Sequence, residues 1–353
     1  MKKLSILSFA HFAVDFACAL LCLRFVSLQP DLHMHLLLYN FCAFALQMPL
    51  GLLLDRFSHG MQTAAFGAIV TAGAFLFSDY ALPAVILAGI GNALFHVGGG
   101  VDVLRNNPEK CTPLGVFVAP GAVGIWLGGF LSDKMLAGLV PCTAAVLCVL
   151  AVLLFVLGKE KIDAVSREKP SLTVRKKGML VLIFLFIVVL LRSAAGFQFG
   201  FSWKTGIYGA LFAIAGAAGK AVGGVLADRL GILRASLSSL AVGCVLFAFS
   251  SDIPLCGILA VLLFNCTMPV TLFAAAKVLR QTPGFAFGLL TFALFLGLLP
   301  SYFGLSLSSA AAVCGVGACA VSAALLFPCL QLCEEGGIGT WIRYFIRWRC
   351  RFA

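Results

Sequence analysis

Gly51-Leu52-Leu53-Leu54-Asp55-Arg56-Phe57-Ser58-His59-Gly60 lies between two long apolar segments, and Gly224-Val225-Leu226-Ala227-Asp228-Arg229-Leu230-Gly231-Ile232-Leu233-Arg234 does the same in the second half of the chain. Both stretches begin Gly-x-x-x-Asp-Arg, and they lie 173 positions apart in 353 residues. Gly115 and Gly288 are also 173 positions apart, each near the start of an apolar segment soon after a proline, Pro113 and Pro283. Two independent pairs at one offset read as an internal duplication, with each short polar turn at the same place in its own half.

Composition says what is duplicated. The chain is 61% hydrophobic and 11% charged, with a mean hydropathy of +1.06. Soluble domains carry about 25% charged residues, so this composition belongs to a membrane. A bilayer core takes roughly 20 apolar residues per helix, and the chain holds twelve such spans with short loops. We place them at 4–28, 34–54, 61–78, 81–104, 114–132, 136–157, 178–199, 205–227, 235–250, 254–276, 285–303 and 307–329. The first begins Met1-Lys2-Lys3 like a secretory leader, but His11 and Asp15 interrupt it and it runs on to Leu28. It is too long and too polar for a cleaved segment and reads as the first span.

The net charge is +11. The basic residues fall in short loops between spans, so they report orientation and not nucleic-acid binding. Loops on one side collect 20 of the 25 Lys and Arg; the other side has Lys134 and Lys204, and Arg24, Arg192 and Lys220 lie within spans. This places both termini in the cytoplasm of a cell inner (cytoplasmic) membrane protein. Residues 158–177 form a basic linker between an amino-terminal bundle, 1–157, and a carboxy-terminal bundle, 178–330; residues 331–353 form a basic and aromatic cytoplasmic tail. The 14 Cys are scattered along apolar segments with no Cys-x-x-Cys pair, which is how Cys is used as a small apolar side chain. No metal site, cofactor or disulfide framework is expected from this pattern.

A Gly-x-x-x-Asp-Arg-x-Gly loop between the second and third span of each half resembles the signature of the major facilitator superfamily. The resemblance covers the whole chain. It implies twelve transmembrane helices as two pseudo-symmetric six-helix bundles, an all-α polytopic fold acting as a monomer. It also implies a conformational latch made by the motif, carried here onto Gly51, Asp55, Arg56, Gly224, Asp228, Arg229 and Gly231. The physics of the motif agrees: the glycines permit close helix approach, and each aspartate suits the positive end of a neighbouring helix. In the first copy Ser58 replaces the second glycine, and a weaker latch is expected there. His11-Phe12-Ala13-Val14-Asp15 and Gly89-Ile90-Gly91-Asn92-Ala93-Leu94-Phe95-His96 further resemble the fosmidomycin-resistance branch, which implies export of drugs and other small molecules in exchange for protons. Val14 and Val97 depart from that branch's Asn and Pro.

Ionisable residues inside spans are costly and point to function. Asp15 lies about 11 residues, or roughly 16 Å, into the first helix. His11 is one turn away on the same face, and His96 reaches a similar depth in the fourth span. Asp15 is the expected principal proton-binding group, with His11 and His96 as relays; the alternatives are a structurally paired Asp15 and packing roles for the histidines. Arg192 and Lys220 are candidates for an anionic substrate group. Arg192 pairing with Asp15 across the halves, and Lys220 supporting the motif or snorkelling to the interface, remain open. Asn92, Gln198 and Asn265 are candidate hydrogen-bond partners of the substrate. Asp102 and Arg105 read as a pair closing the end of the fourth span, with a gate between the halves as the alternative.

The expected function is proton-coupled export of a small organic compound, in keeping with an anionic substrate, by rocking of the two bundles about a central site. The alternative is proton-coupled uptake of a small organic anion. The spans hold no His-Glu-x-x-His, no Gly-x-Ser-x-Gly and no paired aspartates, so a membrane-embedded enzyme is disfavoured. A sensor or scaffold that retains the fold without transport is the other class. Expected partners are protons, a small-molecule substrate and the lipid bilayer.

Overall fold

The computed structural model describes residues 2–57, 59–134, 136–159, 174, 176–305 and 310–334. Ser58, residues 160–173 and 175 of the expected linker and residues 335–353 of the expected tail lie outside the described residues. The described chain is helical throughout. We number its spans α1 (Lys2–Leu28), α2 (Leu32–Asp55), α3 (Gly60–Phe77), α4 (Ala81–Asn106), α5 (Thr112–Ser132), α6 (Leu139–Leu157), α7 (Lys176–Phe197) and α8 (Gly206–Leu230). They continue as α9 (Ile232–Ala248), α10 (Pro254–Val278), α11 (Pro283–Tyr302) and α12 (Ala311–Glu334). Eleven are long and apolar enough to cross a bilayer, and α9 is the shorter apolar helix among them.

The duplication is visible in the packing. In the first half α1 packs on α5, α3 on α4 and α6, and α2 on α4; in the second half α7 packs on α11, α9 on α10 and α12, and α8 on α10. Two contacts join the halves along their length, α2 with α11 and α5 with α8. Each pair is the counterpart of the other under the 173-residue offset. Small residues let the backbones approach, as lipid-embedded helices require. Gly124 and Gly128 of α5 lie against the main chain of Phe12 and Phe16 in α1.

Three spans are broken, and each break serves the centre. In α5, Pro120 has no N–H, so the chain bends after Ala119. The carbonyl of Val116 then accepts from the Ser8 hydroxyl of α1 at 3.2 Å. In α10 the helix is interrupted at Cys266, just before Thr267 and Pro269. In α2 a π-turn spans Phe41–Ala45, and the fully buried Gln47 donates back to Ala43 O at 2.6 Å. Such turns are common at functional sites.

Candidate functional site

The end of the molecule carrying the α2–α3, α4–α5, α8–α9 and α10–α11 connections is the basic face of the sequence pattern. There the two motif aspartates do the same thing from opposite halves. Asp55, ending α2, accepts from the main-chain N–H groups of Gly284 and Phe285, both at 2.8 Å, at the start of α11. Asp228, near the end of α8, accepts from Cys111 N–H at 2.7 Å and Thr112 N–H at 2.9 Å, at the start of α5. Each carboxylate therefore sits on the positive end of a helix from the other half. Gly51 meets Gly284, and Gly224 meets Cys111 and Thr112, backbone to backbone. One turn deeper, Gly288 lies on Gln47 and Gly115 on the Lys220 carbonyl.

Gly231 holds φ +87°, a left-handed conformation that favours glycine. Arg56 and Arg229 are exposed. Arg105 does more than the sequence suggests: its Nη2 lies 3.5 Å from Asp55 Oδ1, so it reaches across to α2 while staying within coulombic range of Asp102 on its own helix. Asp102 also accepts from Asn106 Nδ2 at 3.1 Å. Glu109 adds a surface tie between the halves, 3.3 Å from Arg280 and 3.8 Å from Lys277. Despite its missing second glycine, the first copy thus gives Asp55 two caps and a cation.

Deeper in, α1, α4 and α5 assemble a buried triad. His11, Asp15 and Asn92 are at most 7% exposed. Asp15 Oδ2 is 3.2 Å from His11 Nε2, its Oδ1 is 3.6 Å from His96 Nε2, and Asn92 Nδ2 donates to Oδ1 at 2.9 Å. The two histidine Nε2 atoms are 2.8 Å apart. His11 Nδ1 donates to Phe117 O at 2.8 Å and His96 Nδ1 donates to Asn92 O at 2.8 Å. Gly121 closes the floor. A Cβ there would strike the Asp15 carboxylate and the His11 ring, so only glycine lets α5 come this close.

The second half contributes a different chemistry. A cavity of about 200 Å³ is lined by Arg192 and Lys220, by Asn265, and by Phe199, Phe212 and Phe264. Arg192 is 8% exposed; its Nη2 donates to Thr267 Oγ1 at 3.1 Å, just beyond the break in α10. It does not pair with Asp15, whose oxygens are taken by α1 and α4. Lys220 lies within coulombic range of Asp15, His96 and Arg192, so it stands between the triad and the cavity. Asn265 lines the cavity wall while its Nδ2 donates to Val261 O at 2.9 Å. Asn92, the counterpart of Asn265 at the 173-residue offset, serves Asp15 instead. Gln198 is directed away, donating to Leu305 O at 3.0 Å.

At the opposite end, Lys204 sits 4.3 Å over the Phe212 ring and donates to Phe199 O at 3.1 Å, two residues that line the cavity. Burial pulls its ammonium below the ordinary lysine range. A larger recess of about 570 Å³ between α1, α5 and α8 is walled only by apolar side chains such as Phe9, Phe12 and Ile214. It offers nothing that recognises charge.

The triad's donor atoms all lie within 4.8 Å of one another, a spacing that suits a metal ion. The nearby Lys220 ammonium opposes a divalent cation there. Sequence reasoning found the triad's side chains by depth and helical spacing. The sequence gives no sign of the Phe117 carbonyl or of Thr267, and although each motif aspartate is expected at a helix N-terminus, which helix supplies its N–H groups has no residue signature. The 173-residue spacing of Gly115 and Gly288 points to the two helix starts.

The sequence matches no protein-family model, and no curated protein matches it. Solved structures do match. The fucose:proton symporter of E. coli superposes with a TM-score of 0.65 at 12% identity, covering 92% of this chain and 98% of that one. The same transporter in its outward conformation gives 0.67 at 13%, covering 93% and 98%. A bacterial homologue of the iron transporter ferroportin, outward-facing, gives 0.63 at 13%, covering 93% and 99%. At these identities the likeness shows the fold, which is the twelve-helix fold of the major facilitator transporters.

Proposed function

We propose that this chain is a secondary transporter of the major facilitator superfamily that exports a small organic anion in exchange for protons. The observation that carries the reading is the pairing of two sites in one central layer. Arg192 and Lys220 face a small aromatic-walled cavity with no carboxylate in contact with either among the described residues, and a buried Asp–His–His triad stands next to Lys220. A cavity without its own counter-ion attracts an anion. The guanidinium presents a fork of donors and the ammonium a point charge. About 200 Å³ is below the usual range for drug-sized ligands, which favours a compact acid.

Lys220 links the two. A proton on the triad and an anion in the cavity both change the field at one ammonium, so the two loads influence one another. The aspartate caps close the basic face. With both termini in the cytoplasm of the inner membrane, as the distribution of Lys and Arg indicates, that closure belongs to an outward-facing form, the state named for two of the structural neighbours. Opening the basic face requires breaking the Asp55 and Asp228 caps, which gives the motif its latch role. The short motifs shared with the fosmidomycin-resistance branch make phosphonates the first probes, with carboxylates next.

The test is substrate-dependent proton movement in proteoliposomes carrying an internal pH dye, wild type beside Arg192→Gln. A response to one anion that disappears in Arg192→Gln supports the reading, and its sign separates exchange from cotransport. Silence to every anion by folded protein contradicts it.

A further inference from the structure

The two carbonyls that hold the histidine rings fix more than their orientation. A carbonyl oxygen only accepts, so Nδ1 of His11 must carry the hydrogen it gives to Phe117 O, and Nδ1 of His96 the one it gives to Asn92 O. A neutral imidazole has one N–H. If both rings were neutral, both Nε2 atoms would be bare lone pairs. They nonetheless face each other across 2.8 Å, with the Asp15 carboxylate 3.2 Å from one and 3.6 Å from the other. Three acceptors do not gather this closely without a hydrogen among them. A proton on Asp15 does not resolve the conflict, because it leaves the two lone pairs opposed. Asp15 Oδ1 is in any case occupied as an acceptor by Asn92 Nδ2.

We propose that the exchangeable proton rides on the His11–His96 pair, shared between the two Nε2 atoms, and that Asp15 is a fixed carboxylate counter-charge. This rests on the reading of the triad as the proton site and deepens it by naming the carrier. The charged groups facing the pair are Asp15 from α1 and Lys220 from α8; Cys18 from α1 and Tyr39 from α2 lie behind them, against Asp15. At this point α5 offers the Phe117 carbonyl and the bare Gly121. Loss of the shared proton leaves opposed lone pairs, so the rings must part. His96 is the one free to turn: its side chain is 12% exposed against 5% for His11, and its anchor is in its own helix, whereas His11 is tied to α5. The proton therefore leaves through His96, on the side of Lys220.

The test counts protons without any substrate. Full-length protein in detergent is titrated between about pH 5 and pH 9 with dye-monitored proton uptake, beside Asp15→Asn, His11→Asn and His96→Asn. The Asn replacements keep a donor near the Nδ1 position for Phe117 O or Asn92 O and remove Nε2. The expected result is one proton per molecule lost in either histidine variant and retained in Asp15→Asn, its midpoint moved to lower pH by about one unit or more. Loss in Asp15→Asn with retention in both histidine variants overturns the proposal. A second measurement guards against variants that fail to fold. The ¹⁵N spectrum of histidine-labelled wild type should show both Nδ1 atoms protonated and the Nε2 atoms averaged by a shared proton, and unprotonated Nδ1 signals for His11 and His96 contradict it. Substrate-driven dye signals belong to the transport reading alone, so the two can fail separately.

Discussion

Asp55 and Asp228 make one contact twice: each accepts two main-chain N–H groups at the start of a helix from the other half, and the partners Gly284–Phe285 and Cys111–Thr112 are themselves 173 residues apart. The duplication is therefore crossed. Each half supplies the anion for its sibling's helix end. A helix N-terminal carboxylate contributes about 1 kcal/mol, up to about 2 when partly buried.

Removing one carboxylate should loosen the basic face without unfolding the bundles. Cys111 reports this directly. It is fully buried beside Asp228, and burial first, then the Asp228 carboxylate, raises its thiol well above the ordinary range. In the closed form its labelling by a maleimide should be slow and should rise with pH through pH 9, since only the thiolate reacts. Asp228→Asn should accelerate labelling at neutral pH by roughly 5-fold or more, read peptide by peptide by mass spectrometry. An unchanged rate contradicts the latch.

The deeper glycine contacts should be less forgiving. Gly115 lies on the Lys220 carbonyl and Gly288 on Gln47. Gly288→Val forces a side chain against backbone that cannot swing away, at a cost of about 1–3 kcal/mol. The expected outcome is a lowered melting temperature together with faster Cys111 labelling. A variant with wild-type values for both shows that α2 and α11 are not held at this distance.

Arg192→Lys keeps the charge and loses the fork. Hydrogen bonds to charged groups contribute about 1.5–3 kcal/mol, so the half-saturating concentration of the anion should rise by about 10-fold or more. Substrate titration of exchange in proteoliposomes measures it. An unchanged value places the anion elsewhere.

Lys204 predicts a pH effect. Its burial lowers the pH at which it loses its charge. The cation over Phe212 thus disappears as pH rises, at a lower pH than an ordinary lysine would lose it. Anion capture from that face should fall along the same limb, and Lys204→Gln should flatten the limb. If the limb is identical in the variant, Lys204 takes no part.

Much of this was legible in the sequence, and the reasons are particular. The repeated Gly-x-x-x-Asp-Arg turns and twelve apolar runs lead to the fold, because bilayer length and backbone satisfaction leave few alternatives. His11 and Asp15 share a face by helical spacing, and His96 was matched to them by depth. A helix end for Asp55 and Asp228 is expected from the motif, but which helix receives each is not legible, since a main-chain N–H has no residue signature and lies more than a hundred positions away. Arg105 sits one turn from Asp102 in sequence, and its further reach to Asp55 on α2 has no local signal. The π-turn in α2 left no mark, as Phe41–Ala45 is apolar like its neighbours. Arg192 is held by the hydroxyl of Thr267, a residue type too common to single out.

The central claim is that the anion in the Arg192–Lys220 cavity and the proton on the triad are exchanged for one another. The most direct measurement is the internal pH of proteoliposomes, oriented with the basic face inward and loaded with a small phosphonate or carboxylate, as the anion leaves. The account predicts acidification that requires the anion and disappears in Arg192→Gln and in His96→Asn. Anion efflux of normal rate with no change in internal pH would contradict it.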